Sequence, residues 1–199
     1  VIKCFGDTIA SFAAQYPEVE LDVSFDDRLV DVTGERFDLV VRIGTLKDTS
    51  LIARRLADCP LILCASPDYL DTNGTPQDPA DLTKHNVMAF TGNRGPHEWR
   101  FADNTGHTGQ VTLQGSFKAD SGDMLCRAAL QHVGIVLLPI FYVAEHLESH
   151  RLRHVLPNYA TSPKREIYVV FPPNRFQSMR LRLFVDQLIA SAKQLPWFA

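Results

Sequence analysis

The stretch FDLVVRIG, Phe37 to Gly44, constrains the fold more than any other part of the chain. Its apolar residues do not alternate with polar ones. That is the pattern of a strand covered on both faces, the kind found in parallel sheets. The run then delivers a guanidinium, Arg42, followed by Ile43 and Gly44. In open α/β sheets ligands bind beyond the C-terminal ends of the strands. A strand tip carrying a cation and a glycine is therefore a candidate ligand site, with Gly44 letting backbone come close and Arg42 holding a charge.

The flanking pattern places this strand in an α/β unit. Ile2, Phe5, Ile9, Phe12 and Tyr16 step by three and four, which predicts a helix stopped by Pro17. VELDVSF then alternates, with Val19, Leu21, Val23 and Phe25 on one side, which predicts a strand. DDRLVDVTGER reads as a short helix with Asp26 or Asp27 as cap and Gly34 near its end. The order helix, strand, helix, strand is βαβ alternation without its first strand. Further on, Leu61 to Ala65, NVMAF, GIVLLP and IYVVF read as strands, and WRFADNTGHTGQVTLQGSF as two strands around a turn. SPDYL starts a helix with Ser66 as cap and Pro67 in its first turn. DSGDMLCRAALQ starts another at Ser121 or Asp120, and FYVAEHLES a third. The last helix, FQSMRLRLFVDQLIASAKQL, has no sheet of its own nearby. Two small α/β units joined by two passages of chain account for it.

Bulk properties exclude several classes. The 199 residues are 45% hydrophobic and 22% charged, enough for a real core. A formal charge of -3 gives this stretch no electrostatic footprint for nucleic acid. No apolar run reaches the ~18 residues of a membrane span, and no signal peptide is visible. The sequence opens at Val1 without Met and reads as part of something longer. Cys4, Cys59, Cys64 and Cys126 form no CxxC pair and are expected as free thiols behaving as small hydrophobes in a reducing compartment.

The residues that could carry chemistry are few. His146, His150 and His154 have metal-ligand spacing on one helix, but RHVLP reads as a strand entry that takes His154 off it, so no metal is expected. No nucleophile elbow, phosphate loop or dinucleotide fingerprint occurs. Asp26 and Asp27 are adjacent and suit capping better than acid–base work. What remains is anion-binding geometry at Arg42 and at the DSGD helix start, residues 120–123, where backbone N–H groups can receive a carboxylate. Each has a structural alternative: Arg42 pairing with Asp38 or Asp48, and Ser121 serving only as a cap. Trp99 reads as core rather than a stacking platform. Phe171 ends a strand and either lines a cleft or belongs to the core, with the core reading favoured.

Many spaced positions agree at once with one family. The motifs D.RLVD, FDLVVRIG.L.D.SLIARRL, CASPDYL, G.P..P.DL..H and DSGDMLCRAALQHVGIVLLP closely resemble the effector-binding domain of LysR-type transcriptional regulators over nearly the whole chain. The resemblance implies an α/β, type 2 periplasmic-binding-protein-like fold, two Rossmann-like subdomains joined by two crossover strands. Subdomain I is expected at 1–63 and 171–199, and subdomain II at 64–170. It implies a small-molecule effector in the cleft, a carboxylate by the anion-binding geometry, touched by Asp26, Arg42, Ile43, Gly44, Ala119, Asp120, Ser121, Gly122 and Phe171.

The resemblance further implies a bacterial, cytoplasmic, allosteric homodimer or homotetramer with no cofactor and no enzymatic activity. DNA would be bound through an N-terminal winged helix-turn-helix absent from this sequence, and RNA polymerase is a further implied partner. A solute-binding protein of a transporter is the alternative on the same fold. The chain departs from the family in two places: its first strand and following loop would precede Val1, and His132 stands where a glycine is common.

Overall fold

The structure is a computed structural model that describes residues 2–25, 37–44, 51–92, 98–173 and 178–196. Strands and helices are numbered along the chain. The chain divides into unit 1, Val1–Cys59 with Arg165–Ala199, and unit 2, Pro60–Lys164.

In unit 1 the apolar stripe of the first helix is what gets buried. Helix α1, Ile2–Gln15, buries Phe5, Thr8 and Phe12, three and four residues apart on one face. It stops short of Pro17, which cannot continue a helix. Helix α5, Met179–Ala192, answers with Leu181, Val185, Leu188 and Ala192. The pair meets where the Phe12 and Phe184 ring centroids lie 4.8 Å apart and Thr8 Oγ1 lies 2.5 Å from Ser191 Oγ.

Beside the helices is a three-stranded sheet ordered β1, β11, β2, with β1 Val40–Gly44, β2 Ile52–Asp58 and β11 Glu166–Phe171. Both pairings are antiparallel. This corrects the parallel, doubly covered strand expected from FDLVVRI: β1 is only half-buried along its length. Its partner among the described residues is a strand from the far end of the sequence, and that direction cannot be read from an apolar run. The expected strand at Val19–Phe25 is a second correction. Residues 20–25 are irregular, and Val23 and Phe25 are exposed. Alternation makes a strand only where a neighbour completes the ladder, and no described strand pairs with this segment. The helix expected at 26–36 lies outside the described residues.

Unit 2 contains a five-stranded sheet in the order β7, β4, β8, β3, β9. These are Lys118–Ala119, Val87–Phe90, Ile135–Pro139, Leu61–Ala65 and Arg153–His154. The β4 pairings with β7 and β8 are parallel, and the β3 pairings with β8 and β9 antiparallel. A smaller antiparallel sheet holds β10 Tyr159–Thr161, β5 Glu98–Asp103 and β6 Thr108–Thr112. Helices α2 Pro67–Asn73, α3 Gly122–Leu130 and α4 Ile140–Glu148 and a 3-10 turn at Pro79–Lys84 complete it.

One apolar cluster gathers Trp99, Leu82 and Ile135, and another gathers Met88, Leu125 and Leu138. Trp99 is core, with Nε1 donating to Thr161 Oγ1 at 3.3 Å. The unit boundaries lie a few residues before the expected ones at 63/64 and 170/171. The reason is pairing: all of β3 bonds within unit 2, and all of β11 within unit 1.

Candidate functional site

The unit 1 candidates lie on β1. Arg42 is the middle residue of the strand rather than its tip, because pairing continues through Gly44 opposite Glu166. Arg42 is in register with Tyr168, and Ile43 with Ile167. Successive strand residues point to opposite faces, so the Arg42 and Ile43 side chains cannot serve one small ligand from the same face. Ile43 belongs with the buried Ile167. Arg42 is half-buried, and among the described residues its side chain makes no ion pair or hydrogen bond. The alternative ion pair with Asp38 is not formed, and Asp48 and Asp26 lie outside the described residues. Gly44 ends the strand at φ +140°, which L side chains rarely adopt, and among the described residues nothing lies within 4 Å of where its β-carbon would be.

Phe171, at the end of β11, has no exposed surface, in keeping with the favoured core reading.

The unit 2 candidates gather at the start of α3. Ala119 ends β7, and its carbonyl accepts from the Thr91 N–H at 2.8 Å. Asp120 is exposed, and Ser121 is the cap, its Oγ accepting from the Met124 N–H at 3.3 Å. The capping role is therefore filled. Gly122 is buried, and an added β-carbon would lie 2.6 Å from the Tyr142 ring, so α4 packs directly against the loop.

His132 is the unusual helix end that the sequence suggested. It follows α3 at φ +61°, where glycine is the usual residue. Its Nδ1 lies 2.8 Å from Ser66 Oγ and its Nε2 3.4 Å from Asp68 Oδ2. Ser, His and Asp thus share one cluster, but Ser66 is 1% exposed and its Oγ caps α2 by accepting from the Tyr69 N–H. A buried capping hydroxyl cannot reach a substrate, so the cluster ties the end of α3 to the start of α2. The other histidines do not converge: His146 is in α4, His150 follows it at φ +57°, and His154 is in β9. Among the described residues no group of three or more metal-binding side chains occurs.

The thiols of Cys59, Cys64 and Cys126 are buried, and that of Cys4 is partly so. Burial pushes Cys59 up to about 12 and Cys4 up to about 11, and Cys64, the most deeply buried, is also raised. Desolvation also lowers His85, whose Nδ1 lies 3.3 Å from the Tyr69 hydroxyl. That hydroxyl also accepts from the Asn86 N–H at 3.0 Å.

Sequence reading missed a polar cluster on the Arg42 face of the unit 1 sheet. Tyr168 is in register with Arg42 on one side and with Arg55 on the other. The Arg55 guanidinium bonds both Asp58 and Glu166, and the Tyr168 hydroxyl donates to Glu166. Arg55 and Asp58 are three apart, which would put them on opposite faces of a regular strand. A bulge near Ile167 and Tyr168 shifts the register, leaving Leu56 without a partner. The adjacent Leu56 and Ala57 are both buried, and Arg55 and Asp58 come to the same face. The one visible trace in the sequence is the broken alternation of IARRLAD.

Comparison with known proteins completes the picture. Residues 3–193 match the family described as the LysR substrate binding domain. The HTH-type transcriptional regulator YhjC of Escherichia coli strain K12 is 34% identical over 187 residues, which is 94% of this chain and 62% of that protein. An HTH-type transcriptional regulator of Haemophilus influenzae is 34% identical over 167 residues, 84% of this chain and 57% of its own. Both are longer proteins, and the chain spans less than two thirds of either.

The structure of CrgA, a LysR-type transcriptional regulator from Neisseria meningitidis, aligns with a TM-score of 0.84 at 28% identity, over 96% of this chain and 65% of that one. The full-length Vibrio cholerae virulence activator AphB aligns at 0.81 and 26%, over 94% and 63%. Relatives of this kind favour the regulator over the transporter reading. By its matched residues and its α/β, type 2 periplasmic-binding-protein-like fold, the chain belongs to the LysR substrate-binding-domain family, the regulatory domain of LysR-type transcriptional regulators.

Proposed function

We propose that this domain senses a small carboxylate effector and passes its presence to a DNA-binding winged helix-turn-helix elsewhere in the full protein. The family match carries the reading. Within unit 1 it is supported by the Arg42 guanidinium, without a partner among the described residues, two positions from the open space at Gly44. Within unit 2 it is supported by the start of α3, the positive end of a helix dipole, beside Asp120 and Ser121. Ala119 and Gly122 shape the loop at the start of α3, and Asp26 is a further contact of the effector, as the family resemblance implies. Ile43 and Phe171 support the site from the core.

The effector is bound and released unchanged. It shifts the domain between two states by its differential affinity, typically ~1–3 kcal/mol of coupling. The full protein works in the bacterial cytoplasm as a homodimer or homotetramer and acts on transcription through DNA and RNA polymerase.

Calorimetry with a panel of small carboxylic acids tests the reading. A binder is expected, and Arg42→Ala should weaken it by roughly 1.5–3 kcal/mol, the loss of a charge-assisted contact. Equal affinity in wild type and Arg42→Ala would remove Arg42 from the site. Turnover of the bound acid would overturn the sensor reading.

A further inference from the structure

Both strands that connect the units leave unit 1 at the same place. The chain passes out after Cys59 and returns at Arg165, and the Cys59 N–H donates to the Arg165 carbonyl at 2.8 Å. The adjacent rung pairs Asp58 with Glu166. Directly on these rungs sits the cluster created by the bulge. Arg55 holds Asp58 on its own strand and Glu166 on the neighbouring strand, and Tyr168 secures Glu166 from the far side.

We infer that Arg55 is a positioning residue: with Asp58, Glu166 and Tyr168 it clamps the two chain exits together so that they open and shift as one. Isolated surface ion pairs contribute little. This cluster differs because one planar guanidinium engages two carboxylates on two strands, and the bulge that aims it is part of the backbone. The bulge also places Leu56 and Ala57 in the core on the opposite side, so the arrangement is anchored by burial. Arg42 is the other charged group in the same cross-strand row, on the far side of Tyr168. The clamp thus lies within two strands of the proposed effector anchor. That connection rests on the sensor reading; the clamp does not.

Amide hydrogen exchange on the ligand-free chain tests the clamp without any effector. Arg55→Gln should speed exchange at the Cys59 amide about tenfold and leave the β3–β8 ladder of unit 2 unchanged. Arg55→Lys, which keeps the charge and loses the fork, should restore only part of the protection. Wild type in 1 M sodium chloride, where the Debye length falls to about 3 Å, should show the same local acceleration, so the test survives a variant that does not fold. Unchanged Cys59 protection in Arg55→Gln, or equal losses throughout both units, would overturn the inference. So would wild-type protection at Cys59 that ignores salt. Because no effector is used, failure here leaves the sensor reading standing, and failure to bind any acid leaves the clamp standing.

Discussion

Both units bury an apolar core, but their polar ties differ: unit 2 carries a partly buried amide, and unit 1 an ion cluster open to water. In unit 2 the Asn86 side chain donates to the Val133 carbonyl at 2.7 Å and accepts from the Ser116 N–H at 2.7 Å, tying together the segments that lead into β4, β8 and β7. In unit 1 the members of the cluster are about one third or more exposed, with side-chain values of 41% for Arg55 and 32% for Asp58 and for Glu166. Buried hydrogen bonds are costly to break because the freed groups find no water, while exposed ion pairs exchange readily with solvent. The difference teaches which polar tie solvent reaches first: the ion cluster of unit 1 before the amide of unit 2.

The largest effect that tests this contrast comes from truncating one core residue in each unit. Phe12→Ala in unit 1 and Trp99→Ala in unit 2 should each cost about 3–5 kcal/mol. Urea unfolding combined with amide exchange should show each loss confined to its own unit; identical losses in both would break the contrast. Next comes Asn86→Ala, which leaves the partly buried Val133 carbonyl without its partner and should destabilise unit 2 by about 1 kcal/mol, the exposed Ser116 N–H turning to water instead.

Effects of similar size belong to the backbone. Gly44→Ala forces an L side chain into φ +140° and should cost about 1–3 kcal/mol although nothing blocks the space. His150, exposed at φ +57°, is the reverse case, and His150→Gly should raise stability by about 0.5–1 kcal/mol in thermal melts.

The smallest effect is the pH response, which separates the units by window. Burial lowers His85 from its ordinary 6.5, so the folded state resists the proton that the unfolded state accepts. Unit 2 should therefore lose stability as pH falls below 6.5, and His85→Gln should flatten that slope. In unit 1 the Tyr168 hydroxyl, and then Arg55, hold the Glu166 carboxyl below its ordinary 4.5. Its contribution is complete above 4.5 and disappears only as pH falls through the lower folded value. Urea titrations at pH 7, 5.5 and 3.5 (values chosen around those windows) would show whether the units respond in that order.

Much of this was legible in the residues alone. Ser66 with Pro67, and Ser121 ahead of α3, announce two helix starts because a cap is a local contact within three positions. The stripe of α1 and the apolar runs of β3, β8 and β11 likewise report local periodicity. His132, flagged as departing from the family glycine, does occupy a left-handed position. The strand expected at Val19–Phe25 failed for the opposite reason: alternation is local, but a ladder needs a partner that local sequence does not name.

The sequence by itself determined helices α1 to α5, the caps of α2 and α3, the apolar strands β3, β4, β8 and β11, and the family, since all of these are written in short-range spacing or in many agreeing positions. Only the tertiary structure decided that β1 runs antiparallel to β11, that Arg42 shares a face with Tyr168, and that Arg55 reaches across to Glu166. Those outcomes depend on strand register between distant segments. A one-residue bulge reverses which side chains meet, and nothing in the neighbouring residues fixes where it falls.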